Sequence, residues 1–456
     1  MRDLDAIIKA YDVRGVYPDQ LDENLSRAVG AAFALVVGAA AEAGGPGAVV
    51  VGHDMRPSGP DLVAAFADGV TAQGVDVVEI GLCSTDGLYF ASGHLGLPGA
   101  MFTASHNPAQ YNGIKLCRIG AAPVGQETGL AEIKAMIATG IPDSDGPLGT
   151  VTQRDLLADY ADYLLSLVEL ADMRRLTVAV DAGNGMAGFT APAVLGALPI
   201  DLVEMYFELD GTFPNHEANP IEPANLVDLQ AKVLETGADI GLAFDGDADR
   251  CFVVDELGKP VSPSTITALI ASRELAREPG SSVIHNLITS AAVPEIITEQ
   301  GGTPVRTRVG HSFIKATMAE TGAVFGGEHS GHFYFRDFWR ADSGMLAALH
   351  VLAALGGTPQ GTPLSSLLAE YSRYVASGEI NSEVADTAAA TAAVRAAFED
   401  EADTVDDLDG LTFAGKGWWF NVRPSNTEPL LRLNVENVDE ESMAELRDRV
   451  LAVIRA

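Results

Sequence analysis

The sequence predicts an α/β protein with three related mixed-sheet α/β domains and a C-terminal α+β domain. Three observations predict this fold class. Short runs of β-branched residues alternate with helical segments, as in βαβ units. The alternation recurs three times, and 456 residues are enough for about three domains of ~150 residues. From about residue 372 the pattern changes, which indicates a separate domain.

Each repeat contains a strand, a helical stretch, a second strand, a second helical stretch and a third strand that ends in a polar loop. The first strands are AVVVGHD (48–54), LTVAVDAG (176–183) and SSVIHNL (281–287). The polar loops are TASHNP (103–108), DGDADR (245–250) and GGEHSGH (326–332). Ligands bind beyond the carboxyl ends of strands in open α/β sheets. We therefore expect these three loops to carry the function.

The tail of the chain predicts an α+β domain with one conspicuous polar loop. A strand and the helix AATAAVRAAFEDE come first, and the segment GKGWWFNVRPSNTEPLLRLNVE follows, with a closing helix ESMAELRDRVLAVIRA. Turn-rich stretches suggest where the domains meet. The predicted domains are 1–148 with the first loop, 149–255 with the second, 256–370 with the third and 371–456 with the tail loop.

The composition excludes several classes of partner. The net charge of −34 would repel nucleic acid and anionic membranes over most of the surface. The three cysteines are far apart, which indicates neither a disulfide framework nor a zinc site. The N-terminus lacks the apolar segment of a signal peptide, and the longest apolar run (28–41) falls short of the ~20 residues that span a bilayer. We therefore expect a cytoplasmic protein.

The loop DGDADR indicates a metal site. Asp245, Asp247 and Asp249 alternate along it, so their carboxylates can converge on one hard cation, and Mg²⁺ is the expected ion. An EF-hand would need glycine at the sixth position, which is Arg250. A phosphatase of the haloacid-dehalogenase type would need Thr or Val where Asp249 stands. A solvated acidic turn is the simpler alternative, although three clustered carboxylates would repel each other without a cation.

The tail loop RPSNTEP (423–429) favours phosphate binding. Arg423 can make a bidentate pair with a phosphate, and short polar side chains fill its remaining oxygens. Those side chains are Ser425, Asn426 and Thr427. A polar hairpin is the alternative. The placement of cations beside polar motifs in so acidic a chain favours phosphate, and these cations are Arg14, Lys115, Arg250 and Arg423.

Two further motifs have more than one interpretation. GGEHSGH offers Glu328, His329, Ser330 and His332, a mixture of donors and acceptors that suits sugar hydroxyls; a zinc site lacks the usual spacing. DAGNGMAG (181–188) matches the glycine pattern of dinucleotide-binding proteins. Asp181 would place a negative charge near the pyrophosphate, so we expect these glycines to serve a turn and close packing.

Ser105, in TASHNP beside His106, is a candidate nucleophile. No G-x-S-x-G motif surrounds it, so acyl transfer is not indicated. A serine near a metal-binding loop and several cations is suited to carrying a phosphoryl group. The alternative is an ordinary turn or helix cap.

Taken together, the motifs resemble those of the α-D-phosphohexomutases. TASHNP with NGIK (112–115), DGDADR, GGEHSGH and RPSNTEP follow the order and spacing of that family. KAYDVRG (9–15) and VGHDMRPSG (51–59) also match, so the resemblance covers essentially the whole chain. The sequence is most similar to the phosphomannomutase/phosphoglucomutase branch, since its E-H-S and S-N-T-E-P differ from the E-Q-S and S-G-T-E-P of phosphoglucosamine mutases.

The resemblance implies a reaction and a set of residue roles. Four domains would surround a central cleft, and a phosphoserine at Ser105 would interconvert hexose 1-phosphate and hexose 6-phosphate through hexose 1,6-bisphosphate, which also acts as activator. Mg²⁺ would bind Ser105 and the three aspartates of DGDADR. Catalysis would involve Ser105, His106, Lys115, Arg14 and His332. Sugar phosphate would bind Tyr11, Arg250, Glu328, Ser330, Arg423, Ser425, Asn426 and Thr427.

The sequence leaves some questions open. His53 stands where the family commonly has Arg, so it is left out of the site. A phosphoglucosamine mutase, a metal-dependent sugar phosphatase and a non-catalytic sugar-phosphate binder are the alternatives. The preferred sugar and the choice between monomer and dimer stay undetermined.

Overall fold

The structure, a computed structural model, describes residues 3–41, 44–424 and 430–456. Two compact units make up the chain. The first unit contains the chain up to Ser262 together with Ser330–Ser365, and the second contains Pro263–His329 and Ser366–Ala456. The four domain boundaries expected from the sequence stay a prediction. No helix within the described ranges is both long enough and apolar enough to span a bilayer.

A seven-stranded mixed sheet dominates the N-terminal part of the first unit. Its elements are α1 (Leu4–Ile7), β1 (Val13–Val16), α2 (Glu23–Val36), β2 (Ala48–His53), α3 (Gly59–Ala72), β3 (Asp76–Leu82), α4 (Thr85–Leu95), β4 (Gly99–Phe102), β5 (Tyr111–Arg118), β6 (Ala122–Pro123), α5 (Leu130–Thr139) and β7 (Val151–Gln153). The strand order is β1-β5-β4-β2-β3-β7, with β6 paired to β5. Helices α2 and α3 approach closely because Gly30 and Gly69 meet the facing backbone, where a Cβ would clash.

A five-stranded sheet follows in the same unit. Its elements are α6 (Leu157–Ser166), β8 (Leu176–Asp181), α7 (Ala187–Leu195), β9 (Ile200–Met205), α8 (Val227–Thr236), β10 (Ile240–Phe244), β11 (Cys251–Asp255) and β12 (Pro260–Val261). The order is β12-β11-β10-β8-β9. Strands β10 and β11 form an antiparallel hairpin, so the DGDADR loop is the turn between them.

The third repeat is divided between the units. The second unit contains α9 (Pro263–Arg277), β13 (Ser282–Asn286), α10 (Ala292–Glu299), β14 (Thr303–Thr307), α11 (His311–Thr321) and β15 (Phe325–Gly327). The first unit contains β16 (Phe333–Phe335), β17 (Ala341–Asp342) and α12 (Gly344–Gly356). Strand β14 ends at Thr307, because its partner β13 ends at the opposite residue, Asn286.

The three repeats share one strand order. In each, the first strand is central and pairs in parallel with both the second and the third: β2 with β3 and β4, β8 with β9 and β10, β13 with β14 and β15. This common arrangement confirms the predicted internal repeat. It also places the polar loops after β4, β10 and β15, at the carboxyl ends of strands.

The C-terminal domain is α+β, as predicted. Its elements, after α13 (Leu364–Leu368), are β18 (Val375–Glu383), α14 (Thr387–Phe398), β19 (Thr404–Asp406), β20 (Leu411–Gly415), β21 (Trp418–Pro424), β22 (Leu430–Asn437) and α15 (Glu440–Ile454). The antiparallel order is β18-β22-β21-β20-β19. In its core the rings of Phe413 and Phe420 stack with centroids 4.8 Å apart, and Phe398 meets Phe420 edge-to-face.

Candidate active site

The three aspartates of the β10–β11 turn form a buried cluster in the first unit. Asp245, Asp247 and Asp249 are at most 1% exposed, and one carboxylate oxygen of each lies within 4.8 Å of the others. The loop is tight: Ala248 has φ of +60°, a left-handed conformation that costs most L-residues about 1–2 kcal/mol. Alternating side chains therefore converge, as the sequence predicted.

The cluster fits a hard divalent cation. Oδ1 of Asp247 and Oδ1 of Asp249 are buried and have no hydrogen-bond partner among the described residues. A buried carboxylate oxygen without a donor is costly, and a cation would satisfy it. All three aspartates supply oxygen ligands, which Mg²⁺ and similar ions prefer. Asp245, Asp247 and Asp249 thus form an acidic metal-binding cluster.

Ser105 lies directly beside this cluster. Its Oγ donates to Oδ2 of Asp245 at 3.0 Å and is 3.2 Å from Nδ1 of His106. Ser105 adopts a left-handed conformation with φ of +51°, and its N–H donates to the Thr103 hydroxyl at 2.8 Å. Gly246 allows the close approach, because a Cβ there would lie 2.5 Å from the Ser105 carbonyl oxygen. The structure therefore joins the TASHNP and DGDADR loops.

A buried arginine, Arg56, holds the Ser105 loop. The sequence did not predict this residue as part of the site. Arg56 is 1% exposed, and its Nη2 donates to the carbonyl oxygens of Ser105 at 3.0 Å and Asn107 at 2.6 Å. Its Nη1 donates to the carbonyl oxygens of Pro108 and Tyr111, each at 2.9 Å. Its Nε pairs with the buried Asp54 at 3.2 Å. The motif VGHDMRPSG contains both Asp54 and Arg56, so it could have indicated this contact from the sequence.

Lys115 supplies positive charge to the cluster from β5. Its Nζ lies 2.7 Å from Oδ2 of Asp247 and 2.7 Å from Oδ2 of Asp249. Burial alone would lower the pKa of Lys115, but the two carboxylates outweigh it and hold that pKa well above its usual range. Burial would likewise raise the pKa of Asp247, yet Lys115 brings it far below its usual range. Lys115 therefore stays a cation in this arrangement.

Two arginines complete the surroundings of Ser105. Nε of Arg250 pairs with Oδ2 of Asp245 at 2.8 Å, although burial still raises the pKa of Asp245. Nη1 of Arg14 donates to the Asn107 side chain at 2.5 Å. Desolvation, followed by repulsion from Arg250 and Arg14, lowers the pKa of His106 to about 3. The imidazole of His106 is therefore neutral at pH 7.

The E-H-S motif is divided between the two units. In the first unit, the Ser330 hydroxyl lies 2.9 Å from Nδ1 of His332, and Nε2 of His332 lies 3.7 Å from Oδ1 of Asp249. Asp342 completes a second group of possible ligand atoms with His332 and Asp249. The sequence spacing gave no sign of that group.

In the second unit, Glu328 is buried and accepts hydrogen bonds from Asn286 at 3.4 Å and from the N–H of Gly310 at 3.2 Å. On β21, Nη2 of Arg423 donates to Glu379 at 2.7 Å, and Arg432 on β22 lies 3.3 Å from the same carboxylate. Ser425, Asn426 and Thr427 lie outside the described residues. Tyr11, in the first unit before β1, is 40% exposed.

The glycine motif DAGNGMAG serves packing. A Cβ on Gly185 would lie 2.7 Å from the Gly246 carbonyl oxygen, and one on Gly188 would lie 2.3 Å from the Phe207 carbonyl oxygen. Gly183 has φ of +52°. These contacts confirm the packing interpretation. The N–H of Met186 also donates to the Gly246 carbonyl oxygen at 2.9 Å, so the glycine motif supports the DGDADR loop.

Four domain profiles described as Phosphoglucomutase/phosphomannomutase match the chain: alpha/beta/alpha domain I over residues 5–142, domain II over 158–258, domain III over 262–374 and the C-terminal domain over 379–453. The chain belongs to the phosphoglucomutase/phosphomannomutase family. It is therefore an enzyme of the phosphohexomutase class, an isomerase family.

Individual relatives agree with that family. The chain is 40% identical over 446 residues to "Phosphohexose mutases" of Xanthomonas campestris pv. campestris, covering 97% of this chain and 98% of that protein. It is 40% identical over 452 residues to a phosphomannomutase of Salmonella montevideo, covering 97% of each. A crystal structure of a phosphoglucomutase/phosphomannomutase family protein from Burkholderia thailandensis superposes with a TM-score of 0.89 at 36% identity, covering 100% of this chain and 98% of that one.

Proposed function

We propose that this phosphohexomutase interconverts the 1-phosphates and 6-phosphates of mannose and glucose through a phosphoserine at Ser105 and a hexose 1,6-bisphosphate. One observation carries the proposal: the Ser105 hydroxyl, 3.0 Å from Asp245, adjoins a buried acidic cluster and lies among cations. A nucleophile placed between a cation site and basic residues suits phosphoryl transfer, where positioning and charge compensation supply most of the catalysis.

The proposed cycle has two transfers in opposite directions. In the first, the O6 hydroxyl of a hexose 1-phosphate attacks the phosphorus of phosphoserine, and the bond between phosphorus and Ser105 Oγ breaks. The sugar hydroxyl loses its proton and Oγ gains one, which leaves a serine and a hexose 1,6-bisphosphate. In the second, Ser105 Oγ attacks the phosphorus of the C1 phosphate after the bisphosphate turns over. The bond to the sugar O1 breaks, O1 takes a proton, and hexose 6-phosphate leaves.

The proposed metal site contains Ser105 with Asp245, Asp247 and Asp249. Mg²⁺ bound there would offset the negative charge of the phosphoryl group as it is transferred. The Oδ1 atoms of Asp247 and Asp249, which accept no hydrogen bond from any described residue, support this choice of ligands. Hard oxygen donors favour Mg²⁺ over softer transition metals.

The surrounding side chains receive distinct proposed roles. Lys115, held as a cation by two carboxylates, would orient and stabilise charge rather than exchange a proton. Neutral His106, with Nδ1 3.2 Å from Ser105 Oγ, would help to orient the serine hydroxyl, whose proton points to Oδ2 of Asp245. Arg14 positions the Ser105 loop through Asn107, and His332 is the candidate for proton exchange with the sugar.

Further side chains receive proposed roles in binding the substrate. Glu328 and Ser330 would bind sugar hydroxyls, and Arg250 and Tyr11 would help to hold the substrate in the first unit. In the second unit, Arg423 would hold the phosphate that is not being transferred, together with Ser425, Asn426 and Thr427 of the same loop. A planar guanidinium suits that role because it binds phosphate in a bidentate manner.

The proposal is tested by incubating the protein with mannose 1-phosphate and a trace of hexose 1,6-bisphosphate. A mutase yields mannose 6-phosphate, a phosphatase yields free phosphate and a binding protein yields neither. Ser105→Ala should lower turnover by several orders of magnitude, because a covalent nucleophile is removed. Mass spectrometry of the active wild type should find the phosphoryl group on Ser105. Near-normal turnover of a folded Ser105→Ala protein would refute the phosphoserine.

Substrate preference distinguishes the branches of the family. Glucose and mannose differ only at carbon 2, and contacts with the 3- and 4-hydroxyls would not separate them. We expect kcat/KM for glucose 1-phosphate and mannose 1-phosphate to agree within roughly tenfold, about 1.4 kcal/mol. Glucosamine 1-phosphate should be a clearly poorer substrate. A preference for glucosamine 1-phosphate would instead identify a phosphoglucosamine mutase.

A further inference from the structure

The first turn of α4 contacts the metal loop, and no motif in the sequence pointed to it. The residues Ser84-Thr85-Asp86 follow β3 and start this helix, and all three are fully buried. The Ser84 hydroxyl caps the helix by accepting from the N–H of Gly87 at 3.2 Å. A cap of this kind fixes the direction in which the helix begins. The side chain of Thr85 is thereby directed into the β10–β11 turn.

Thr85 makes two hydrogen bonds to a single aspartate of the cluster. Its Oγ1 donates to Oδ2 of Asp247 at 2.6 Å, and its N–H donates to the Asp247 carbonyl oxygen at 3.0 Å. The second bond holds the backbone immediately before Ala248, which has the left-handed φ of +60°. Thr85 therefore fixes both the carboxylate and the strained turn that carries it.

The two oxygens of the Asp247 carboxylate are in different surroundings. Oδ2 accepts from Thr85 at 2.6 Å and from Lys115 at 2.7 Å, so its hydrogen-bonding capacity is used. Oδ1 is buried without a hydrogen-bond partner among the described residues. Rotation of the carboxylate would break both bonds to Oδ2. The pair of donors thus selects which oxygen is presented to a cation.

Thr85 is itself held by a buried network. Asp86, next along α4, accepts from the Tyr160 hydroxyl on α6 at 2.8 Å and from the Ser343 hydroxyl at 2.6 Å, and Ser84 also donates to it. Ser343 is the N-cap of α12. Helices α6 and α12 therefore hold the first turn of α4 in position, and a side chain supported in this way places a metal ligand more precisely than one on an unsupported loop does.

We propose that Thr85 is a positioning residue of the metal site, which orients Asp247 so that Oδ1 is the oxygen that binds the cation. The inference rests on the proposed function, in which Asp247 is a metal ligand. Side chains that orient metal ligands typically contribute 10- to 100-fold to metal affinity. Because Thr85 donates two hydrogen bonds to Asp247, its loss should act mainly through the metal.

The test measures Mn²⁺ affinity directly, with free Mn²⁺ followed by electron paramagnetic resonance. Wild type, Thr85→Val and Thr85→Ser are compared at equal Ser105 phosphorylation, checked by mass spectrometry. Thr85→Val keeps the shape but loses the hydroxyl, so Mn²⁺ should bind at least tenfold more weakly. Thr85→Ser keeps the donor and should bind within about threefold of wild type. In turnover assays, Thr85→Val should need more Mg²⁺ for half-maximal rate and recover much of kcat at saturating Mg²⁺.

Two controls separate positioning from stability. Ser26, on α2, has a fully buried hydroxyl that donates to the Leu62 carbonyl oxygen at 2.6 Å. Ser26→Ala removes this hydroxyl and should leave the Mn²⁺ affinity within twofold of wild type. Should Thr85→Val not fold, Thr85→Ala also removes the hydroxyl and serves the same comparison. Thr85→Val with the Mn²⁺ affinity of wild type would overturn the inference, as would a Thr85→Ser variant that binds as weakly as Thr85→Val.

Failure of the proposed function gives a different result. Asp247→Asn should lose most of its Mn²⁺ affinity in any version of the proposed site. If wild type binds Mn²⁺, Asp247→Asn does not and Thr85→Val equals wild type, the metal site stands and Thr85 has no positioning role. If wild type and Asp247→Asn bind Mn²⁺ equally, or neither binds it, the proposed metal site is refuted together with the role of Thr85.

Discussion

Replacing Arg56 by Met should be among the most destabilising changes of a single polar residue in the first unit. The guanidinium is 1% exposed, and its ion-pair partner Asp54 is fully buried. Removing one member of a buried pair leaves an uncompensated charge and costs about 3–5 kcal/mol. The substitution also removes donors from four carbonyl oxygens of the Ser105 loop. Arg56→Met should therefore lower the free energy of unfolding by about 4–6 kcal/mol.

An exposed ion pair provides the matched control. Arg27 and Asp68 lie 2.7 Å apart on α2 and α3, with side chains 50% and 64% exposed. Such pairs contribute about 0–1 kcal/mol, so Arg27→Met should change stability by less than about 1 kcal/mol. The double variant Asp54→Asn/Arg56→Met removes the unpaired charge and should recover part of the loss. Urea unfolding of all four proteins measures these differences.

The pH dependence gives an independent check on the cause. Burial raises the pKa of Asp54 and Arg56 lowers it again, so loss of Arg56 should raise that pKa further. A carboxyl whose folded-state pKa is raised destabilises the fold at high pH, and this penalty disappears as pH falls through the raised pKa. The deficit of Arg56→Met should therefore shrink at acid pH. A loss below 1 kcal/mol, or a double variant no better than Arg56→Met, would refute the reasoning.

Four further outcomes are expected. Asp247→Asn should raise the Mg²⁺ concentration needed for half-maximal turnover at least tenfold, measured in chelator-treated enzyme; full activity without added metal would contradict the site. Arg423→Ala should raise KM for the sugar phosphate with a smaller change in kcat, and an unchanged KM would show that its pairing with Glu379 is only structural. Burial raises the pKa of Asp86 to about 6, so ionisation of this carboxyl should lower the free energy of unfolding by about 3 kcal/mol as pH rises from about 4 to 6. Asp86→Asn should therefore flatten the curve of Tm against pH over that range. An unchanged slope would exclude Asp86 as the cause of the pH dependence. Ala248→Gly relieves a left-handed Ala and should change stability by no more than about 1 kcal/mol in urea unfolding, whereas a larger loss would mean that the Cβ packs favourably.

Much of the fold was predictable because the central strand of each repeat is buried on both faces. Continuous β-branched runs followed by helical periodicity revealed the strands, and the three repeats proved to share one strand order. Strand ends were less predictable, because a strand lasts only as long as its neighbour offers hydrogen bonds. Strand β14 stops at Thr307 for that reason.

For the site, the sequence by itself determined the chemistry of the loops. The alternate spacing in DGDADR identified Asp245, Asp247 and Asp249 as candidate metal ligands, and the motif TASHNP identified Ser105 as a candidate nucleophile. Such signals exist because alternate residues of a short loop share a direction, which is a local property. The family resemblance added roles to positions that local spacing could not interpret.

Only the tertiary structure decided which distant residues hold those loops in place. Arg56 reaches the Ser105 loop across about 50 positions of sequence, and Thr85 reaches Asp247 across 162. Neither contact produces a repeating pattern in the sequence. A buried hydrogen bond between two elements depends on how those elements pack, and not on the spacing of residues within either element. The structure also divided the E-H-S motif, with His329 in one compact unit and Ser330 in the other. Residues that are adjacent in the sequence lie in the same loop, but tertiary packing decides which compact unit each of them belongs to.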